Sequence, residues 1–343
     1  MSYTSENLLP RGPRLSRIRE ILDILGYRRI PMRKIEIPNS VGQYRWCAED
    51  VYRSNTGVAL GIYDRNGSLS VETRTAAARS HWDLEQQNRT IRLIRAACGG
   101  EFQTDAGKNR CYRNVGPAPT PAESGCAQAY EQFGANLIRG EVCLGAASFP
   151  EHWPESPTGL LFDDVFNPRL LFHHLLLVHL VATVEDYFRS TYVALLRYSE
   201  CRGEILKGVH LSAQAAGDVS SGRICLEEAM AQSMGFAQPR MFLRHFERLD
   251  TKLKLDKALK SPVGRRKRRL DEDLDAWVAS RNEFVHRSGF DVTLTRSRME
   301  HIHDDLELAI DRCAARVFAH YGWELDKTWG RPSTRQRKKL AAQ

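Results

Sequence analysis

Apolar positions recur at helical spacing along some stretches of the chain and alternate with polar ones along others. Ile18, Ile21, Leu22, Ile24 and Leu25 make a helical stripe that Gly26 closes, so a helix is predicted over residues 16–26. Residues 27–37, 41–47, 57–63 and 68–74 are rich in β-branched and aromatic side chains and read as strands. Asp64-Arg65-Asn66-Gly67 is a turn between the last two. Trp82, Leu84, Ile91, Leu93 and Ile94 mark a second helix over 81–98, stopped by Gly99-Gly100. Short strands are predicted around Phe102 and at Cys111-Tyr112, and a third helix over 122–137. Strands mixed with helices predict an α+β domain over residues 1–150, suited to substrate recognition or regulation.

The pattern changes after a stretch carrying Pro150, Pro154, Pro157 and Pro168, which reads as the connection between domains. Residues 165–325 are helical in character throughout. Helices are predicted over 169–199, 226–234, 241–249, 270–288 and 296–321, with a Gly/Ser-containing loop near 217–222. Residues 326–343 read as a basic flexible tail. The run from Leu170 to Val184 is apolar nearly all round, so it belongs in a core or an interface. It is shorter than the roughly 20 residues a bilayer needs and contains His173, His174 and His179, so no membrane span is predicted.

A chain of 343 residues with 42% apolar residues can bury two cores. Its net charge of +8 favours an acidic partner, and nucleic acid is the commonest. The eight cysteines are scattered, no C-x-x-C pair occurs, and the first residues carry no signal peptide, which fits a reduced, cytoplasmic chain.

The helix over 270–288 is the most informative, because Asp271, Glu272 and Asp273 suit its start and Gly289 suits the residue just past its end. Leu274, Trp277, Val278, Phe284 and Val285 make its apolar face, and Arg281 falls in the middle of that face, about 20° from Leu270 at about 100° per residue. A guanidinium there needs a partner or a partly wet cleft. One account is a structural ion pair with Glu185 or Asp186. The other is an anion site, since the planar fork of an arginine matches a phosphate. Asn282 and His286 lie one turn apart on the border of the apolar face, so the amide can reach and orient the imidazole. Arg281 and His286 are about 140° and 7.5 Å of rise apart, too far to share a face.

Over Arg281-Asn282-Glu283-Phe284-Val285-His286 the sequence resembles the HEPN superfamily of ribonucleases and RNA-binding domains: an Arg, a polar residue directly after it, and a His five positions on, late in a helix of a helical bundle. The resemblance covers about residues 165–325. It implies an endoribonuclease needing neither metal nor cofactor, in which a 2′-hydroxyl attacks the adjacent phosphate, His286 assists proton transfer, Arg281 stabilises charge and Asn282 positions the phosphoryl oxygens. It also implies a homodimer through the helical domain, a role as toxin or phage-defence effector, and an antitoxin or defence protein as partner. The alternative within the same resemblance is a catalytically silent RNA- or nucleotide-binding module of a defence complex.

Arg265, Arg266, Lys267, Arg268 and Arg269 precede the motif helix and Arg287 lies at its end; these are candidates for RNA contact, with a solvated linker as the other account of the run. The remaining signals are weaker. His173, His174 and His179 read as core or interface histidines, and His301, His303, Asp304 and Asp305 as a solvated helix face, not metal ligands. Gly107-Lys108-Asn109-Arg110 lacks the rest of a P-loop, and no G-x-S-x-G motif occurs.

Overall fold

A computed structural model describes residues 2–12, 15–31, 38–114, 116–155, 158–263 and 268–325. The tail expected over 326–343 lies outside them. The chain divides into two compact units, Met1–Ser124 and Gly125–Gln343.

The first unit is built on an antiparallel sheet of strands β1 (Tyr3–Leu8), β2 (Arg28–Ile30), β3 (Ser40–Trp46), β4 (Val58–Arg65), β5 (Ser68–Thr75), β6 (Glu101–Thr104) and β7 (Gly107–Lys108) in the order β2-β3-β4-β5-β1-β6-β7. Helices α1 (Leu15–Ile24) and α2 (His81–Cys98) supply the apolar cover. Ile18 and Leu22 of α1 and Ile94 of α2 pack with Val58, Leu60 and Ile62, the alternate residues of β4. A capping box fixes the start of α2: Ser80 accepts from the Asp83 N–H and the Asp83 carboxylate accepts from the Ser80 N–H.

Two features of this unit differ from the sequence expectation. Strand β1 was not foreseen, because its inward residues are polar: Ser5 is hydrogen-bonded to Thr73 Oγ1 (2.6 Å) and Asn7 donates to the Ile91 carbonyl (3.1 Å). Cys111-Tyr112 is not a strand. Tyr112 is held instead by the Asn88 amide, which donates to its carbonyl (2.8 Å) and accepts from its N–H (3.1 Å), so one side chain supplies the bonds of a neighbouring strand.

The second unit is helical. It contains most of α3 (Pro121–Ala146), then α4 (Leu161–Val165), α5 (Pro168–Arg197), α6 (Arg202–Leu206), α7 (Ala213–Ser220), α8 (Leu226–Gln232), α9 (Pro239–Leu249), α10 (Asp256–Lys260), α11 (Leu270–Arg287) and α12 (Arg296–Tyr321). Helix α7 occupies the region expected to be a loop. Helix α3 is longer than expected, and beyond Ser124 it belongs with the helical unit, so the boundary falls well before residue 150. Its buried residues Cys126, Ala129, Phe133, Leu137, Gly140 and Leu144 recur every three or four positions along one face. Phe133 meets the ring of Tyr187 on α5, and a Cβ at Gly140 would sit 3.3 Å from Leu180, so glycine there permits close approach of α5.

Helix α5 is the central element. Asn167 caps it by accepting from the Arg169 N–H, and Pro168 occupies the first turn, where its missing N–H is not needed. Phe188 stacks on Phe242 of α9 at 3.8 Å, and Tyr192 meets Phe236 and Phe246. Met299, Ile302, Leu306, Ile310, Cys313 and Val317 form the buried stripe of α12, as their spacing predicts. Among the described residues no helix is long and apolar enough to cross a membrane, and the eight cysteines are free.

Candidate functional site

Leu270, Leu274, Trp277 and Val278 bury the first half of α11, and the same face comes to the surface in the second half, where Val285 is 48% exposed. Arg281 stands at this transition with its side chain 18% exposed. One guanidinium nitrogen donates to Asn282 Oδ1 (2.8 Å) and another lies 3.3 Å from Glu185 Oε2 on α5. The ion pair with Glu185, one of the two accounts open from the sequence, is therefore present.

That carboxylate is shared. Glu185 Oε1 also accepts from Arg189 Nη2 at 2.7 Å, and Asp186 lies 4.0 Å from the same arginine. The Nε–H groups of both Arg281 and Arg189 are buried without a hydrogen-bond partner among the described residues. Two guanidinium groups thus converge on the Glu185 carboxylate, with Asp186 at the edge of the cluster, and each keeps an unsatisfied donor. Arg189 was not singled out from the sequence. Its signal is the i,i+4 spacing from Glu185 on an otherwise apolar helix.

His286 is exposed and makes no hydrogen bond among the described residues. Asn282, expected to orient it, turns its amide oxygen to Arg281 instead. Within one chain the structure does not bring Arg281 and His286 together, as their five-residue offset requires.

The end of α11 is fixed by two elements. Ser288 adopts the left-handed conformation (φ 54°), and the N–H groups of Ser288 and Gly289 both donate to the Glu283 carbonyl. Gly289, expected just past the helix end, serves close approach: a Cβ there would meet Glu283 Cγ at 2.4 Å. Behind this turn, His174 of α5 stacks on Phe290 at 4.4 Å and packs on Phe284. Its Nδ1–H donates to the Leu170 carbonyl (2.8 Å), and its Nε2 accepts from the Asp291 N–H (2.9 Å). Both nitrogens are committed to the neutral ring, and burial pushes the pKa of His174 below its ordinary 6.5.

The candidates for RNA contact separate into groups. Arg265, Arg266 and Lys267 lie outside the described residues. Arg268 places one nitrogen 2.7 and 2.8 Å from the two Asp305 oxygens, and Arg269 binds both oxygens of Asp271 (3.1 and 2.6 Å). These two arginines are spent on carboxylates at the start of α11 and on α12, where they offset the unfavourable position of positive charge near a helix N-terminus. Arg287 is 77% exposed and pairs loosely with Glu283. Asp305 is thereby engaged, whereas His303, Asp304 and Glu307 bring ligand atoms within 4.8 Å of one another. His303 bonds through Nε2 to the Leu137 carbonyl, and both carboxylates have other interactions.

No family model matches the chain, and neither does any curated protein or solved structure.

Proposed function

We propose that the helical unit is a metal-independent endoribonuclease of HEPN type, in which Arg281 binds a phosphate of the RNA and His286 moves a proton during 2′-hydroxyl attack. The observation that carries this reading is the part-neutralised guanidinium pair: Arg281 and Arg189 share one carboxylate and retain unpartnered N–H groups. The Arg189 and Arg281 side chains are 27% and 18% exposed, and a phosphate meeting them there offers the guanidinium groups further acceptors. Asn282 fixes the Arg281 fork, and the exposed imidazole of His286 is free to meet substrate.

A two-fold pair of chains completes the site in this reading. Leu171 and Leu175 of α5 are 44% and 56% exposed and share a face with Val178 and Ala182 that leads to Glu185. A second chain seated on this stripe covers it and brings another His286 toward Arg281. Role as a toxin or defence effector, and a restraining protein partner, belong to the same proposal.

The Glu185 contact favours a second reading, in which Arg281 is a structural ion-pair residue. Incubating the protein with single-stranded RNA in EDTA separates the two. Cleavage leaving 2′,3′-cyclic phosphate ends, lost in Arg281→Ala and His286→Ala, supports the ribonuclease; cleavage only on adding a divalent metal, or none, removes it.

A further inference from the structure

A second cluster of cations lies at the N-terminal end of α5, away from Glu185. Leu144 and Ala147 from the end of α3, Phe149 and Glu155 from the segment after it, Arg169 and His173 of α5, and Arg296 of α12 line a small open cleft. The first turns of α5 and α12 both border it, so the positive ends of two helices add to the two guanidinium groups.

Most of the polar groups here are already ordered. Arg169 donates to the carbonyls of Trp153 (2.9 Å) and Phe149 (3.4 Å) and pairs with the exposed Glu155. It is clamped in place. His173 is 95% buried by its 5% exposure, and its Nδ1 lies 2.7 Å from the Leu294 carbonyl. A carbonyl only accepts, so Nδ1 carries the proton and Nε2 is left as the atom that His173 can offer to the cleft. Nε2 has no hydrogen-bond partner among the described residues. Arg296 makes one long contact, to Glu300 (3.4 Å).

We infer that this cleft is a binding site for a compact anion, a phosphate group, held by Arg169 and Arg296 with His173 Nε2 as a third donor once protonated. The small cleft suits the phosphate alone, with any sugar and base lying outside. The groups facing His173 are Arg169 on its own helix, Arg296 from α12 and Glu155 from the segment after α3, with His174 beside it; burial, and then the positive charges, hold its pKa below 6.5. An anion in the cleft reverses that balance and raises it. The site is independent of the RNA-cleaving reading, although its phosphate could come from an RNA backbone or from a free phosphate or nucleotide.

The test is a titration of the full chain with inorganic phosphate, a nucleoside 5′-monophosphate and a short RNA oligonucleotide, following the ring nitrogens of His173 by NMR. Saturable binding at millimolar phosphate or tighter, with an upward shift of the His173 pKa, is the expected result. Arg296→Gln is expected to weaken binding about tenfold or more, the effect of losing one charge-assisted contact. His286→Ala is expected to leave it unchanged, which separates this site from the proposed cleavage site. Saturable binding of free phosphate or the monophosphate identifies a small-molecule site, and an Arg296-dependent His173 shift with RNA alone identifies a backbone subsite. A His173 pKa unmoved by all three ligands, or binding indifferent to Arg296→Gln in a folded variant, overturns the inference.

Discussion

Glu185 decides between the two accounts of Arg281, because each predicts a different effect of removing its charge. Glu185→Gln takes the ion-pair partner from Arg281 and leaves Asp186 as the counter-charge of Arg189, and stability is expected to fall by about 1–3 kcal/mol. If Arg281 and Arg189 form an anion site, RNA affinity should rise as stability falls, and added phosphate should restore the melting temperature. Loss of stability with RNA affinity unchanged would identify a structural ion pair. Arg281→Ala and His286→Ala are expected to lower RNA cleavage by about two to four powers of ten each, as removal of a charge stabiliser or proton-transfer group does. His286→Ala should leave the melting temperature alone, since the ring is exposed. The position of Arg281 was legible in the sequence, because α11 has a clear acidic start and its register could be counted from there. The pairing of Asn282 with Arg281 was not legible: residues one apart on a helix seldom face each other, and here the long arginine side chain folds back.

At the scale of elements, the sequence showed what rests on apolar periodicity and hid what rests on side-chain hydrogen bonds. Helices α2, α5, α11 and α12 were foreseen within a few residues, and so were strands β4 and β5. Strand β1 was hidden by Ser5 and Asn7 on its inward face, and the last turns of α3 were hidden by Gly140 and Gly145, residues that are poor helix formers. The C-terminus of α11 offers a direct measurement. Ser288 occupies a left-handed conformation that costs an L residue roughly 1 kcal/mol, so Ser288→Gly is expected to stabilise the protein by about 0.5–1 kcal/mol in urea unfolding. Gly289→Ala should destabilise it despite an ordinary φ, because the new methyl group meets Glu283. Equal effects of the two substitutions would show that the turn relaxes freely.

For the helical unit as a whole, α3 is part of the core and not a preface to it. A fragment beginning at residue 125 is expected to unfold cooperatively. One beginning at 165 loses the buried Phe133, Leu137 and Leu144, each contributing about 2 kcal/mol, against a total stability on the order of 10 kcal/mol. Dye binding to exposed apolar surface in the shorter fragment, and not in the longer one, is the expected contrast. Acid should weaken this unit before its carboxylates titrate. Burial lowers the pKa values of His173, His174 and His245 below 6.5, so between those values and 6.5 the unfolded chain binds more protons than the folded one. Stability is complete above 6.5 and falls as the pH drops through that window. A urea midpoint that stays constant from about pH 7 to 5 would show that these rings accept protons in place. His174 also carries a built-in timer. Its Nδ1 proton is locked against the Leu170 carbonyl while Nε2 holds the Asp291 N–H, so neither hydrogen can be traded for deuterium until that contact opens. The exchange rate of the Asp291 N–H therefore counts how often the segment that follows α11 comes loose from α5.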